Sequence, residues 1–327
     1  MNKGNQRLSI EKLKQWESLR FGMFIHFGMS TFDSEEMSKG DKPSASYAPD
    51  KLDVNQWISV ACDAGMKYAV LTTKHVAGHC LWPTKYSDYH VGTSGNKTDV
   101  VEAFVRACEK CGLMPGFYYC SWDNHNRFGS VTPSFADWSS AFTTEEYREF
   151  QMKQIEELLT QYGKIGEVWI DIPGLLGRDG RRKQYGQIAG LQPDAVIMMN
   201  AGFTHGDKLD VDYAWPTDIL AIERRLPCAP TKKYGYSPWF RIGEGGADEK
   251  DYYIPAEVCD TIGWSWFSMD DDEPRSIQDL LGMYLVATSR GANFLLNVPP
   301  DKHGEIQPRY VQTLMRLSKN LEKMGIT

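Results

Sequence analysis

The chain has 327 residues, of which 24% are charged and 42% hydrophobic, and its formal net charge is −7. This composition is typical of a globular protein with a large buried core. The negative charge argues against nucleic acid or an anionic membrane as the main partner, because both attract basic faces. No run of 18 apolar residues occurs, so the sequence predicts no membrane-spanning helix.

The N-terminal segment and the cysteines bear on the compartment. The first twenty residues lack the apolar segment of a secretory signal peptide. The sequence therefore predicts a cytoplasmic protein if the chain is full-length, and a periplasmic or secreted one if it has been processed. The seven cysteines show no short disulfide framework, and we expect Cys108 and Cys111 to be buried thiols on an amphipathic helix.

Apolar, β-branched or aromatic runs alternate with helical patterns along the chain. Asp53 is predicted to cap one helix, Thr143 with Glu146 forms a capping box for another, and Ser276 begins a later one. A final amphipathic helix lies at the C-terminus. The runs predict strands at residues 21–28, 67–75, 114–122, 167–172, 195–200, 263–267 and 292–299, with a weaker eighth near 211–219.

Strands that alternate with helices indicate parallel strands joined by right-handed crossovers. The chain length suits a (β/α)8 TIM-like barrel, which typically needs about 250 residues before insertions. We therefore predict one catalytic barrel domain over residues 1–327. An open doubly wound sheet is the alternative, but the segment HFGMSTF after the first strand lacks the glycine-rich turn of a dinucleotide-binding fold.

Polar or aromatic side chains stand at the ends of most predicted strands. In (β/α)8 barrels the chemistry gathers at the C-terminal ends of the strands, so we expect these side chains to converge on one rim. They are His26, Lys74, His75, Trp122, Asp123, Asp171, Asn200, Trp264 and Trp266.

Asp171 ends the apolar strand VWI and precedes Ile-Pro-Gly, which should stop the strand abruptly. A carboxylate there is poorly placed as a helix cap and is costly to bury unless it is hydrogen-bonded. A catalytic acid is one interpretation, and a structural aspartate bonded to loop amides is the other.

Glycoside hydrolysis would require a second carboxyl group. The downstream candidates are Asp218, Glu223, Glu244 and Glu257. The apolar stretch around Glu223 would raise the pKa of its carboxyl group and keep it protonated as an acid, but the adjacent arginines would oppose this by pairing with it. The residues alone leave the choice open.

His26 and His75 suggest either a metal site or donors to sugar hydroxyls. Neither H-x-H nor H-E-x-x-H occurs, so we predict no metal and no cofactor. We interpret both residues as ligands of sugar hydroxyls, with hydrogen-bonded core histidines as the alternative.

Five segments resemble, in order and spacing, the α-L-fucosidases of glycoside hydrolase family 29. The resemblance extends from about Arg20 to Ile306 and is specific because all five occur in the same order. The segments are RFGMFIHFGMSTF, AGMKYAVLTTKHVAGHCLWPTKYSDY, GFYYCSWD, EVWIDIPG and SRGANFLLNVPPDKHGEI.

The resemblance implies a barrel without the C-terminal β-sandwich of many relatives, and a double displacement that retains the anomeric configuration. Asp171 matches the family nucleophile, and AIERRLP favours Glu223 as the acid/base, with Asp218 as second choice. The implied substrate is a terminal α-linked L-fucose on an oligosaccharide or glycoconjugate, and the implied fucose contacts are His26, His75, Tyr119 and Trp264.

Three departures from the family pattern affect this interpretation. Relatives commonly read K-H-H-D-G-F, whereas this chain has KHVAGH, so one hydroxyl-binding histidine is missing or replaced by His79. No arginine occurs between Arg182 and Arg224, and Ile172 stands where a glycine is usual. The missing histidine and arginine suggest as an alternative a carbohydrate-binding barrel that has lost catalysis. A metal-dependent hydrolase is a third, separate interpretation.

Overall fold

Eight parallel strands form one sheet that curls until its two edge strands meet. The computed structural model describes residues 3–127, 144–200, 214–227, 237–243 and 249–326. The strands are β1 (Phe21–Ile25), β2 (Tyr68–Lys74), β3 (Met114–Cys120), β4 (Glu167–Asp171), β5 (Val196–Asn200), β6 (Leu220–Glu223), β7 (Trp239–Ile242), β8 (Lys250–Tyr253), β9 (Ala256–Thr261) and β10 (Asn293–Asn297).

The sheet order is β5-β4-β3-β2-β1-β10-β9-β6, and β7 and β8 form a separate antiparallel pair. A parallel bridge between Met198 and Ile219 joins the two edges of the eight-stranded sheet. The predicted (β/α)8 barrel is therefore confirmed.

Helices surround the barrel, and two of the predicted helix starts are confirmed. Asp53 accepts a hydrogen bond from the Gln56 amide, and Ser276 accepts one from the Asp279 amide. Thr143 lies outside the described residues, and the cap of the helix that follows is Thr144. The helices are α1 (Ile10–Glu17), α2 (Met29–Asp33), α3 (Val54–Asp63), α4 (Val100–Cys111), α5 (Glu145–Gln161), α6 (Gly177–Leu191), α7 (Ile277–Ser289) and α8 (Pro308–Lys323).

The last two strands before β10 differ from the prediction. The strand predicted at 263–267 is wrong: β9 lies at 256–261, and the aromatic segment GWSWF belongs to the loop after it. Buried Glu257 and Asp260 made β9 look unlike a core strand. The strand expected near 211–219 lies instead at 220–223, and residues 201–213 are outside the described part of the chain.

Successive strand residues point alternately into the barrel and out toward the helices. The inward set forms one apolar cluster with Phe24, Tyr118 and Trp169, and the outward set forms a second with Ile25 and Ile170. Continuing the inward alternation to the C-terminal strand ends places a group of polar residues around one opening. They are His26, Asp171, Asn200, Glu223 and Asn297.

A register shift interrupts the alternation on β2. The pairing of β2 with β3 is irregular between Thr72 and Lys74, as in a β-bulge. The Lys74 ammonium is buried beside Tyr119 and Asp123. The next residue, His75, lies with its ring centroid 5.7 Å from that of His26. The shift thus directs the lysine away from the barrel opening and the histidine toward it.

Candidate active site

Asp171 and Glu223 lie on opposite sides of one amide group. Asp171 ends β4, Asn200 ends β5 and Glu223 ends β6, so the three side chains emerge at the same end of the barrel. Asn200 Nδ2 donates to Asp171 Oδ1 over 2.8 Å and to Glu223 Oε2 over 3.0 Å. Because both bonds share one nitrogen, these two distances set an upper limit of 5.8 Å on the separation of the two oxygens.

The surroundings of Asp171 act in opposite directions on its charge. Burial raises the pKa of the Asp171 carboxyl group, and hydrogen bonds from Tyr118 and Asn200 oppose the rise because they favour the ionised form. The Tyr118 hydroxyl donates to Asp171 Oδ2 over 2.6 Å. Each Asp171 oxygen thus has a fixed donor.

Glu223 is poised to exchange a proton near neutral pH. Burial and then the negative charge of Asp171 raise the pKa of Glu223 to about 7, with a smaller contribution from Glu36. The Asn200 hydrogen bond and the positive charge of Arg224 lower it. Two neighbouring acids with different surroundings are the arrangement that general acid catalysis requires.

His26 and His75 are held neutral beside the carboxyl groups. Burial lowers the pKa of His26, and it lowers that of His75 to about 3. His26 Nδ1 lies 2.7 Å from Asn297 Oδ1, and the Asn297 amide nitrogen donates to the Trp266 carbonyl. Since Asn297 Oδ1 can only accept, His26 Nδ1 carries the hydrogen and Nε2 is left as an acceptor.

The prediction for Tyr119 is contradicted by the direction of its side chain. The Tyr119 side chain projects from β3 to the outside of the barrel. Its hydroxyl lies 2.9 Å from Lys74 Nζ and donates to Gln154 Oε1 on α5. The Tyr118 side chain projects into the barrel, and its hydroxyl donates to Asp171. The ring of Tyr118 also stacks on His75 at 5.6 Å.

Trp264 lies at the rim rather than among the buried groups. Its side chain is 63% exposed, and the Arg275 guanidinium lies over one face at 4.3 Å from the ring centroid. The Trp264 carbonyl accepts a hydrogen bond from Arg224, the residue after Glu223. Trp266 is the tryptophan that packs on His26, with ring centroids 4.9 Å apart.

The other candidate acids lie away from this opening. Asp218 is at the N-terminal end of the strands, where it accepts from the Ile197 amide and the Tyr185 hydroxyl and pairs with Arg7. It is therefore badly placed for the acid/base role. Glu257, the second residue of β9, is buried inside the barrel, and Glu244 lies outside the described residues.

His79 does not replace the missing family histidine in this cluster. Its ring stacks on Tyr47 at 5.0 Å, and its Nε2 lies 2.8 Å from Ser94 Oγ. Both neighbours belong to the segments outside the barrel strands.

Each catalytic candidate is followed by a residue with left-handed backbone. Ile172 has φ 50° and Arg224 has φ 49°. Non-glycine residues in this region are strained by about 1–3 kcal/mol, and such strain concentrates at functional sites. The turns end β4 and β6 directly after Asp171 and Glu223.

Sequence reasoning missed Tyr118 and Glu36, and it expected Asn200 at the rim without giving it a role. The strand alternation that places Asp171 inward also selects Tyr118 over its neighbour. The Glu36 carboxylate accepts a long 3.5 Å contact from the Trp266 amide. It arrives from a loop, so no periodicity could have placed it.

The described ranges, from residue 3 to 326 with their gaps, contain no group of three or more His, Cys, Asp or Glu residues arranged to hold a metal ion. Within the same ranges, no helix is both long enough and apolar enough to cross a bilayer.

The chain is a (β/α)8 barrel that carries two carboxyl groups, bridged by one amide, at the C-terminal ends of its strands. The sequence model described as alpha-L-fucosidase matches residues 41–326, so the chain belongs to the α-L-fucosidase family, glycoside hydrolase family 29.

Relatives and solved structures agree with this membership. Alpha-L-fucosidase 1 of Arabidopsis thaliana is 32% identical over 319 residues, which cover 93% of this chain and 58% of that protein. The chain thus spans less than two thirds of that relative's length. A putative alpha-L-fucosidase of Bacteroides thetaiotaomicron superposes with a TM-score of 0.77 at 30% identity, over 98% of this chain and 69% of that one.

A second structure from Bacteroides thetaiotaomicron superposes with a TM-score of 0.78 at 21% identity, over 99% of this chain and 77% of that one. It is described as a family 29 α-L-fucosidase trapped as a covalent intermediate with 2-fluoro-fucosyl fluoride. At this identity the likeness concerns the fold alone.

Proposed function

We propose that the protein is a retaining exo-α-L-fucosidase that removes terminal α-linked L-fucose from oligosaccharides or glycoconjugates. The observation that carries the proposal is that Asn200 bridges the carboxyl groups of Asp171 and Glu223. Because its Nδ2 atom lies 2.8 Å from one carboxyl oxygen and 3.0 Å from the other, these two oxygens are at most 5.8 Å apart. Retaining glycosidases hold their two carboxyl groups about 5–5.5 Å apart, and inverting ones need a wider gap to admit water.

In the first step an Asp171 carboxylate oxygen attacks the anomeric carbon and forms an ester bond to it. The bond from that carbon to the leaving oxygen breaks, and the leaving oxygen takes the proton of Glu223. In the second step the Glu223 carboxylate removes a proton from water, the water oxygen bonds to the anomeric carbon, and Asp171 is released as a carboxylate.

The charge on Asp171 explains how Glu223 serves both steps. While Asp171 is ionised, its charge helps to raise the pKa of Glu223 to about 7, so Glu223 retains a proton to donate. Esterification of Asp171 removes that charge, so the pKa of Glu223 falls and its carboxylate becomes available as a base. The covalent intermediate described for the Bacteroides thetaiotaomicron enzyme is the species that such a double displacement passes through.

His26 and His75 would orient the sugar. Both are neutral because burial lowers the pKa of each ring, so they bind hydroxyl groups without attracting anions. His26 Nε2 is an acceptor and would receive a hydrogen from a sugar hydroxyl. Trp264 would contact the part of the glycan that lies outside the opening, since most of its ring faces solvent.

Replacing Asp171 by Asn tests the proposal with an aryl α-L-fucoside. Loss of turnover of at least about 10³-fold with an unchanged thermal transition is expected, since covalent catalysis is removed. Glu109→Gln, an exposed acid on α4, is the matched control. The anomer first released by the wild-type protein, followed by NMR, should be the α anomer. Release of the β anomer, or glycan binding without any release of fucose, would refute the proposal.

A further inference from the structure

The Asn200 side chain makes two hydrogen bonds from one nitrogen atom, and the two acceptors are the nucleophile and acid/base candidates. We propose that Asn200 is a positioning residue that sets the spacing of these two carboxyl groups and holds Glu223 in the orientation for proton transfer. The inference rests on the proposed function and adds a residue that acts through both acids.

Asn200 is itself fixed by the barrel. It ends β5, its backbone pairs in register with Asp171 of β4, and its side chain is only 6% exposed. The amide hydrogens diverge from one planar group, so two acceptors that bind both must lie at a defined angle and distance. A residue with a single donor could not fix both carboxyl groups.

The two acids depend on this amide to different extents. Asp171 also accepts the hydrogen bond of Tyr118. In the described part of the chain the Glu223 carboxyl group receives one hydrogen bond, and Asn200 donates it. Loss of the amide therefore leaves Asp171 partly held but leaves Glu223 without its donor.

This asymmetry predicts which substrates suffer. A good leaving group departs without protonation, so its release depends on the nucleophile more than on the acid. A sugar leaving group needs the proton of Glu223. Removal of Asn200 should therefore slow hydrolysis of a fucosylated disaccharide more than that of 4-nitrophenyl α-L-fucoside.

The amide should also affect the pH profile. Its N–H groups favour the ionised form of each carboxyl group, and they lower the pKa of both. Without them both pKa values rise. In the pH profile of kcat/KM, the acid limb reports ionisation of Asp171 and the alkaline limb reports loss of the Glu223 proton, so both limbs should move to higher pH. A residue that only filled space would change neither limb.

The test compares Asn200→Ala and the isosteric Asn200→Asp with the wild type, using Asn320→Ala on α8 as the surface control. The kcat/KM of Asn200→Ala should fall about tenfold more for the disaccharide than for the nitrophenyl fucoside, with both pH limbs raised. Asn200→Asp, which keeps the shape but adds a negative charge, should raise the alkaline limb further. Equal losses for both substrates with unmoved limbs would overturn the proposal.

A readout independent of turnover separates this proposal from the proposed function. The Glu223 carboxyl group can be titrated by NMR in protein labelled at the glutamate side-chain carbon, with Glu223→Gln used to assign its signal. A higher pKa in Asn200→Ala supports the positioning role even if the wild-type protein releases no fucose. An unchanged pKa overturns that role even if the protein is active.

Discussion

The Tyr118 hydroxyl donates a 2.6 Å hydrogen bond to Asp171 Oδ2 from the neighbouring strand of the barrel. Because this bond favours the ionised form of Asp171, Tyr118→Phe should raise the pKa of Asp171. The proposed mechanism requires ionised Asp171, so the acid limb of kcat/KM should move to higher pH. We expect a loss of about tenfold or more near that limb, since hydrogen bonds to charged groups contribute about 1.5–3 kcal/mol.

Tyr119→Phe is the matched control for this measurement. It also removes one tyrosine hydroxyl, that of the next residue, which contacts Lys74 and Gln154 outside the barrel. The control should leave the acid limb in place. An equal shift in both variants, or a shift in Tyr119→Phe alone, would contradict the assignment of Tyr118.

These adjacent tyrosines show what the sequence could and could not supply. The position of Asp171 at the C-terminal end of an apolar strand assigned it to the barrel opening, and the alternation of strand residues selects Tyr118. The family resemblance pointed to Tyr119, whereas Tyr118 is the tyrosine that faces inward. A two-residue period decides this only when the strand register is known, and the irregular pairing at Lys74 shows that the register can shift within one strand.

The strand β9 was missed for a different physical reason. Its Glu257 and Asp260 are buried, and burial of charged residues is rare unless partners are present. Glu257 accepts from Tyr68 and Trp169, which come from β2 and β4. Such partners are distant in sequence, so local patterns cannot reveal them, whereas the aromatic segment 263–267 has strand-like composition without a place in the sheet.

The charge of Arg224 gives a second prediction. Arg224 lowers the pKa of Glu223, which burial and Asp171 raise to about 7. The alkaline limb of kcat/KM, where Glu223 loses its proton, should therefore lie near pH 7 and move upward in Arg224→Met. Arg316→Met removes the same charge from an exposed position on α8 and should not move the limb. A downward shift in Arg224→Met would be inconsistent with this electrostatic account.

The buried carboxyl pair Glu167–Glu257 predicts a pH-dependent stability. Burial raises the pKa of Glu257 to about 7 and raises that of Glu167, which lies beside it. A raised folded-state pKa contributes stability that is present below the unfolded value and is lost as the pH rises through the folded value. Stability should therefore fall from about pH 4.5 through about pH 7, where folded Glu257 ionises, and should fall further wherever folded Glu167 ionises.

Glu167→Gln tests this pair while keeping its hydrogen bonds. The Gln side chain can still accept from Trp16, as Glu167 Oε2 does now, and its amide can donate to Glu257 in place of a proton. Because Gln cannot ionise, the variant avoids the cost of a buried charge at pH 8. We expect its Tm at pH 8 to exceed that of the wild type by several degrees, since 1 kcal/mol of unfolding free energy shifts Tm by roughly 2–4 °C or less in a chain of this size. At pH 5 its Tm should change little. An equal change in Tm at both pH values would contradict the interpretation that folded Glu167 and Glu257 hold a proton between them below pH 7.

Trp264 predicts a dependence on the leaving group. Its ring is exposed at the rim and is backed by Arg275, so its open face is suited to stack on a sugar ring of the departing glycan. Trp264→Ala should lower kcat/KM for a fucosylated disaccharide about tenfold and leave hydrolysis of α-L-fucosyl fluoride nearly unchanged. Tyr86→Ala, another exposed aromatic residue, is the control. Equal losses for both substrates would place Trp264 against fucose itself.

The left-handed backbone at Ile172 predicts that a glycine variant is more stable than an alanine variant at this position, the reverse of the order expected within a helix. A β-branched residue at φ 50° is strained, and glycine adopts this region without a penalty. Ala and Gly both remove the Ile172 side chain, so the difference between Ile172→Gly and Ile172→Ala isolates the backbone. We expect Ile172→Gly to be the more stable of the two by about 1 kcal/mol in denaturant unfolding.

The same pair of changes at Lys153, exposed within α5, should give the opposite order, because glycine in a helix is less stable than alanine by about 1 kcal/mol. The same order at both positions would mean that the turn after Asp171 relaxes when its side chain is removed, and that the strain is not a fixed feature of the site.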